Sequence, residues 1–199
     1  MTIPARAQHA DRSVPEEAAS ILAQGLVAHV AFSLDGQPYV IPFSYQYDSS
    51  VPDRLYLHGS PESRALTHLA SGAAVCVEVC LLDGLVYSRT AKYHSMNYRS
   101  AVCFGRARRV EGEAEMRDVF EKMIARYFED RTSGRHYEAP PKAHLDATAL
   151  LEISIEAWSA KARRGGPKGP RDADQSAPGT AGVVDRSEGA KPADPKRGA

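Results

Sequence analysis

Apolar and polar residues alternate along much of the chain between residues 12 and 167, and this pattern predicts more strands than helices. Runs rich in Val, Ile, Leu and Tyr fit strands at residues 26–33, 38–47, 54–58, 73–82, 85–93, 99–110 and 148–157. The Asp35-Gly36 step favours a tight hairpin turn between the first two runs, and Asp83-Gly84 is expected to separate the fourth run from the fifth. Short connections of this kind predict a mostly antiparallel sheet.

Three other segments carry helix signals. Residues 13–16 place a hydroxyl, a proline and a carboxylate at the start of a predicted helix that runs to about Gln24. Ser60 is expected to begin a second helix that ends at Gly72, and residues 112–128 repeat apolar side chains at the spacing of an amphipathic helix. This order of strands and helices predicts an α+β barrel and not a parallel nucleotide-binding sheet.

The composition changes after Trp158. Residues 163–199 consist mainly of Gly, Pro, Ala, Asp, Lys and Arg, with almost no large aliphatic side chain. Such a segment buries too little apolar surface to offset the entropy of ordering. We therefore expect one folded domain over residues 12–167 and a disordered tail over residues 168–199.

The balance of acidic and basic residues bears on whether a nucleic-acid or membrane partner is expected. The chain has 25 Lys and Arg against 25 Asp and Glu, so its formal net charge is zero and we expect no nucleic-acid or membrane partner. No run approaches the ~18 apolar residues of a membrane span, and we expect a cytoplasmic protein. The cysteines and histidines lack the paired spacing of a zinc site, so no metal site is expected.

Polar residues gather at the junction of the third predicted strand and the second helix, in His58-Gly59-Ser60-Pro61-Glu62-Ser63-Arg64. Free amides at a helix start bind phosphate well when an arginine fork lies beside them. The same residues also fit an ordinary helix cap with a solvated arginine, and Glu62 disfavours an anion unless it points away.

A second polar segment, Tyr93-His94-Ser95-Met96-Asn97-Tyr98-Arg99-Ser100, follows the fifth predicted strand. It combines stacking surface with hydrogen-bond donors, which a planar polar ligand requires. A polar loop with a basic flank is the alternative interpretation.

These two segments, together with Tyr39-Val40-Ile41-Pro42-Phe43 and Phe104-Gly105-Arg106-Ala107, resemble the pyridoxamine 5'-phosphate oxidase-like superfamily. Within it, the branch that includes the nitroimidazole-resistance proteins is the most similar. The resemblance spans residues 12–167. It implies a six-stranded split β-barrel with short flanking helices that forms a homodimer, and one flavin mononucleotide (FMN) in each of two clefts built from both subunits.

The resemblance also implies which residues meet the cofactor. Residues 41–44 would run along the isoalloxazine, and residues 58–64 would meet the ribityl phosphate. Residues 97–99 would reach the flavin from the same or the partner subunit, whereas Arg89 and Lys161 are weaker candidates for the phosphate. The implied cofactor-binding residues are Ile41, Pro42, Phe43, Ser44, His58, Ser60, Ser63, Arg64, Arg89, Asn97, Tyr98, Arg99 and Lys161.

The function implied by the resemblance is that of an FMN-dependent oxidoreductase. Its substrates would be small molecules such as nitro compounds or quinones, with a reduced nicotinamide as electron donor. His58 is the predicted catalytic residue, because imidazole donates a proton readily near neutral pH. Two alternatives stay open: a non-catalytic flavin-binding module, and haem binding in the same dimer groove with His58 or His94 as axial ligand.

Overall fold

A computed structural model describes residues 9–186 of the chain. In this range eight strands form one antiparallel sheet that curls into a half barrel, so the predicted α+β split barrel is confirmed. The strands are β1 (Ala28–Leu34), β2 (Gln37–Phe43), β3 (Tyr45–Tyr47), β4 (Arg54–Gly59), β5 (Ala74–Tyr87), β6 (Ser95–Arg109), β7 (Ala149–Arg163) and β8 (Gly182–Asp185).

Short helices flank the sheet. They are α1 (Ala18–Gln24), α2 (Arg64–Ala70), α3 (Glu113–Tyr127) and α4 (Lys142–Asp146). The second helix begins later than predicted, because Ser63 and not Ser60 is the N-cap, and its hydroxyl accepts a hydrogen bond from the amide of Leu66 at 3.4 Å. No helix between residues 9 and 186 is long and apolar enough to cross a membrane.

The chain crosses from one end of the sheet to the other at Ser44. Along the sheet the strands lie in the order β2-β1-β5-β6-β7-β4-β3, with β8 paired to β5. β2 pairs with β1 up to Phe43, whereas β3 pairs with β4 from Tyr45 onward. The single strand predicted for residues 38–47 is therefore two strands, and Ser44 lies where the barrel is split.

The core fills the inside of the curled sheet, and α1 packs into it. Ile21 and Leu22 of α1 are fully buried, and Val75, Val77 and Val79 of β5 point inward at alternate positions. A second apolar cluster lies under α3 and α4, formed by Val110, Met116, Val119, Met123, Leu145 and Leu150. The two clusters lie on opposite faces of β4 and β7, so this part of the sheet has buried side chains on both sides.

β5 and β6 form one long hairpin, which corrects two sequence predictions. Asp83-Gly84 is not a turn, because Gly84 continues β5 after a register shift that begins at Leu82. The turn lies at residues 88–94, so residues 85–93 are not a separate strand. An Asp-Gly pair occurs both in hairpin turns and in bulges inside strands, so the local sequence does not distinguish the two.

The structure differs from the predicted disordered tail over residues 168–186. This segment makes a turn and then adds β8 to β5, with Val184 paired to Leu85. Residues 187–199, the rest of that prediction, lie outside the described residues.

Polar anchors hold this segment in place. The Asp172 carboxylate accepts hydrogen bonds from the Ser88 hydroxyl and the Arg89 amide, both at 2.8 Å. The Arg89 guanidinium donates to the carbonyl oxygens of Ala177 and Gly179. A count of apolar residues does not detect such anchors, which explains why composition alone predicted disorder.

β6 and β7 approach so closely at Gly105 that there is no room for a Cβ. The β6–β7 register shifts between Phe104 and Gly105, and a Cβ added at Gly105 would lie 1.9 Å from the backbone oxygen of Ser154.

We expect Gly105→Ala to lower the free energy of unfolding by about 1–3 kcal/mol, the usual range for an overpacked site. Gly112→Ala is the control, because a Cβ there would meet nothing closer than 3.8 Å. Urea denaturation measures both variants, and equal midpoints would contradict the prediction.

Candidate functional site

His58 lies near the end of β4 and points away from the barrel core. Its neighbour Leu57 is fully buried inside the barrel, so the alternation of a strand turns His58 to the opposite face. There the imidazole packs edge-on against Phe120 of α3, with ring centroids 5.6 Å apart and an interplanar angle of 87°. The pairing of β4 with β7, in which His58 is opposite Leu150, fixes the backbone of the histidine.

The ring of His58 has an unsatisfied nitrogen. Nδ1 is buried and has no hydrogen-bond partner among the described residues. Burial lowers the pKa of His58 below its ordinary value of 6.5, so the imidazole is neutral at neutral pH. A buried polar atom without a partner costs about 1–3 kcal/mol unless a water, an ion or a ligand satisfies it.

The unsatisfied ring faces a cavity of about 850 Å³, called here the His58 cavity. Ser44 and His58 line it from the sheet side. The other walls come from α3 and the segment that follows it, and they include Phe120, Met123, Ile124, Tyr127, Phe128, Tyr137, Pro140, Pro141, His144 and Leu145. Cofactor sites typically have roughly this volume and a mainly apolar, aromatic lining with a few polar groups.

Three hydrogen bonds fix the helical walls of the His58 cavity. The hydroxyl of Tyr127 accepts a hydrogen bond from the amide of Tyr45 at 2.8 Å and donates to the carbonyl oxygen of Leu26 at 2.8 Å, which ties the end of α3 to the sheet. The guanidinium of Arg117 donates to the carbonyl oxygen of Pro140 at 2.7 Å and holds the following segment against α3. The cavity therefore has walls that are fixed without a ligand.

A second group of predicted site residues lies next to the cavity. Residues 41–44, Ser60, Ser63 and Arg64 form what we call the Arg64 surface. The guanidinium of Arg64 lies 4.8 Å from the ring centroid of Tyr39, which holds it by a cation–π contact. Arg64 is exposed and has no ion-pair partner within residues 9–186, so its donors remain available to an anion.

Asn97 and Arg99 have partners inside their own chain. Asn97 accepts a hydrogen bond from Arg163 at 2.5 Å and donates to the carbonyl oxygen of Gly165 at 3.1 Å. Arg99 forms a two-pronged ion pair with Asp83, with a shortest distance of 2.7 Å. These groups are fixed on the β5–β6 hairpin.

The remaining predicted residues also lie apart from the Arg64 surface. Tyr98 is on the same hairpin, Lys161 pairs with Ser100 across β6 and β7, and Arg89 binds the carbonyl oxygens of the segment after β7. His94 packs against Tyr87 with ring centroids 6.1 Å apart and does not line the His58 cavity. In the described part of one protomer, no hydrogen bond, ion pair or ring contact joins these residues to the Arg64 surface.

Most residues of the His58 cavity were not predicted from the sequence, Phe120 and His144 among them. Phe120 was read only as part of an apolar helix face, and His144 was not singled out at all. An aromatic residue that covers a cofactor and one that fills a core share the same helical spacing, so Phe120 carried no distinguishing signal. His144 follows a Pro140-Pro141 pair in a polar segment, where a histidine is unremarkable by sequence.

Comparison with known proteins identifies a matching family and several similar solved structures. The pyridoxamine 5'-phosphate oxidase family matches residues 15–162. No curated protein matches the chain with significant similarity.

Several of the similar solved structures are described as flavin-binding or haem-binding proteins. A flavocytochrome from Azotobacter vinelandii has 27% identity and a TM-score of 0.80, over 98% of this chain and 89% of that one. The FAD and haem binding protein from Mycobacterium smegmatis has 32% identity and a TM-score of 0.79, over 94% and 91%. A protein from Bacteroides thetaiotaomicron that is assigned to 5-nitroimidazole antibiotic resistance has 25% identity and a TM-score of 0.61, over 75% and 86%.

Proposed function

Because the chain belongs to the pyridoxamine 5'-phosphate oxidase family, we propose that it is a redox protein with two cofactors, a flavin nucleotide at the Arg64 surface and a haem in the His58 cavity. The observation that carries the haem proposal is that the imidazole of His58 lines a mainly apolar cavity whose walls are held by hydrogen bonds within the chain.

Two comparisons support haem. The similar structures that cover 98% and 94% of this chain are described as a flavocytochrome and as an FAD and haem binding protein. The nitroimidazole-resistance protein covers 75% of the chain. The chain thus shares more of its length with the haem proteins than with the branch that the sequence alone suggested.

His58 fits the role of an axial ligand. A neutral imidazole binds iron through a ring nitrogen, and burial keeps His58 neutral. Phe120 packs edge-on against the ring, and most of the cavity lining around it is apolar. We therefore propose this role for His58 in place of the proton donor to flavin that the family resemblance implied.

The Arg64 surface fits the phosphate of a flavin nucleotide. Arg64 presents its guanidinium fork to solvent, Tyr39 holds it in place, and residues 41–44 lie at the end of β2 with partly exposed backbone. FMN, implied by the resemblance, and FAD, named for the Mycobacterium smegmatis protein, share this phosphate next to the ribityl chain. The proposal therefore applies to either nucleotide. The mass of the flavin released by denaturation identifies which of the two is bound.

The two proposed cofactor positions share one residue, because Ser44 belongs to the Arg64 surface and also lines the His58 cavity. When bound, flavin supplies two-electron chemistry with small molecules such as a reduced nicotinamide, a nitro compound or a quinone, and haem supplies one-electron chemistry. The chain supplies the ligand, the phosphate clamp and the wall between the sites.

The absorption spectrum of the protein as purified tests the proposal. Flavin bands together with a Soret band support both sites, and flavin bands that persist alone after incubation with excess hemin contradict the haem site. Flavin retention without nicotinamide oxidation above the rate of free flavin favours the non-catalytic alternative.

We also propose that the protein functions as a homodimer. The Arg64 surface and residues 97–99 both resemble the family's flavin motifs. No hydrogen bond, ion pair or ring contact joins them within residues 9–186 of one protomer, whereas two copies related by a two-fold axis can bring them to one cleft. The β5–β6–β8 ribbon that carries residues 97–99 has an exposed apolar face, since Met96 and Val184 both pair with Leu85 and are 50% and 44% exposed.

Light scattering on the flavin-loaded protein is expected to give twice the mass of one chain. Met96→Glu places a charge on the apolar ribbon face and is expected to shift the protein toward the monomer. Val51→Glu is the control, because Val51 is a similarly exposed apolar residue in the loop between β3 and β4. A monomeric mass for the unmodified protein, or an undisturbed dimer for Met96→Glu, would contradict this arrangement.

A further inference from the structure

The His58 cavity contains a second histidine. His144 of α4 lines it, and within the part of the chain described by the structure its ring has no hydrogen-bond, ion-pair or aromatic partner. His58 reaches the cavity from the sheet, whereas His144 reaches it from the helical side. Two histidines from different elements of the fold therefore line one cavity.

The position of α4 is fixed relative to His58. Leu145, next to His144, is 3% exposed and packs in the same apolar cluster as Leu150, which is the residue paired with His58 across β4 and β7. An ion pair between Lys142 and Asp146 spans one turn of α4. The backbone of His144 is therefore anchored beside β4 and β7, and β4 carries His58, the proposed first ligand.

The other groups in the cavity suit an iron ligand less well. The hydroxyl of Tyr127 already forms hydrogen bonds with the amide of Tyr45 and the carbonyl oxygen of Leu26. Met123 belongs to the apolar cluster under α3 and is 6% exposed, so its thioether is used in packing. His144 has no such structural engagement.

We propose that His144 is the second axial ligand of the haem, so that the iron is held between His58 and His144; this inference rests on the proposed haem site. Ligation by two imidazoles would leave no coordination position open to a small molecule. A haem held in this way would supply electron transfer and not a substrate-binding position.

Electron paramagnetic resonance and resonance Raman spectra of the haem-loaded protein test this assignment. The unmodified protein is expected to give a low-spin, six-coordinate ferric spectrum. His144→Ala is expected to retain haem but to become high-spin and five-coordinate, and added imidazole is expected to restore the low-spin spectrum. His136→Ala is the matched control, since His136 is an exposed histidine of the segment between α3 and α4 that does not line the cavity.

The outcomes separate the two proposals. If the unmodified protein takes up no haem, the haem site fails and the role of His144 fails with it. If haem binds and the unmodified protein is already high-spin, or if His144→Ala keeps the low-spin spectrum, the haem site stands and the role of His144 is wrong. The side chain of His144 lies on an exposed helical position, so its loss does not remove a core contact.

Discussion

His58→Ala is expected to abolish stable haem binding while leaving the barrel folded. The substitution removes the ligand itself, so the loss of affinity should exceed the roughly 10–100-fold loss that follows removal of an outer-shell partner of a metal ligand. Titration with hemin, followed by the Soret band, measures the effect. Because the change leaves space next to Phe120, millimolar imidazole is expected to restore part of the haem binding in this variant.

A matched control for this experiment exists in the same chain. His68 of α2 is also partly buried and also has a ring nitrogen without a partner, but it packs near Phe32 and does not line the His58 cavity. His68→Ala should therefore leave the hemin titration unchanged. Equal haem affinities for His58→Ala and the unmodified protein would show that the iron is held elsewhere. A far-ultraviolet circular dichroism spectrum excludes unfolding as the cause of any loss.

Arg64→Ala is expected to weaken binding of FMN or FAD much more than binding of riboflavin. The charge-assisted hydrogen bonds between a guanidinium fork and phosphate are worth about 1.5–3 kcal/mol, which corresponds to roughly tenfold to a hundredfold in affinity. The loss should be largest at low ionic strength, because salt screens an exposed charge pair. Quenching of flavin fluorescence measures each affinity.

Riboflavin and a second arginine supply the controls. Riboflavin has no phosphate, so a damaged barrel would lose both ligands, whereas a missing clamp would lose only the nucleotide. Arg135→Ala removes an exposed arginine from the segment between α3 and α4 and should change neither affinity. Equal losses for the nucleotide and riboflavin, or no loss for either, would place the phosphate at another residue.

The sequence predicted the fold better than it predicted the site. Alternation of apolar residues identified most of the strands, because inward positions such as Val75, Val77 and Val79 pack against one core. It did not show that Asp83-Gly84 lies within β5, because that depends on the partner strand and not on the local residues. The break at Ser44 was hidden for the same reason, since the flanking residues are equally β-prone on both sides.

The site was predicted in part. The polar junction before α2 drew attention to His58 and Arg64, but the sequence placed both at one flavin. The structure adds a neighbour for His58 that the sequence did not show, because the outward face of β4 brings it against Phe120 of a helix that begins more than fifty residues later. Contacts across such sequence distances leave no trace in a local motif, so neither the cavity nor His144 was predictable from spacing.

The strand β8 also determines how two copies of this protein can meet. An unpaired strand edge is a template on which another chain can add by backbone hydrogen bonds, and proteins commonly block such edges. Residues 182–185 already occupy the free edge of β5 at residues 84–87. Direct backbone pairing of another chain with residues 84–87 is therefore blocked, and in the proposed dimer the contact is made by side chains on the face of the ribbon. A dimer that buries this one face against its two-fold copy is complete with two members, because both use the same patch.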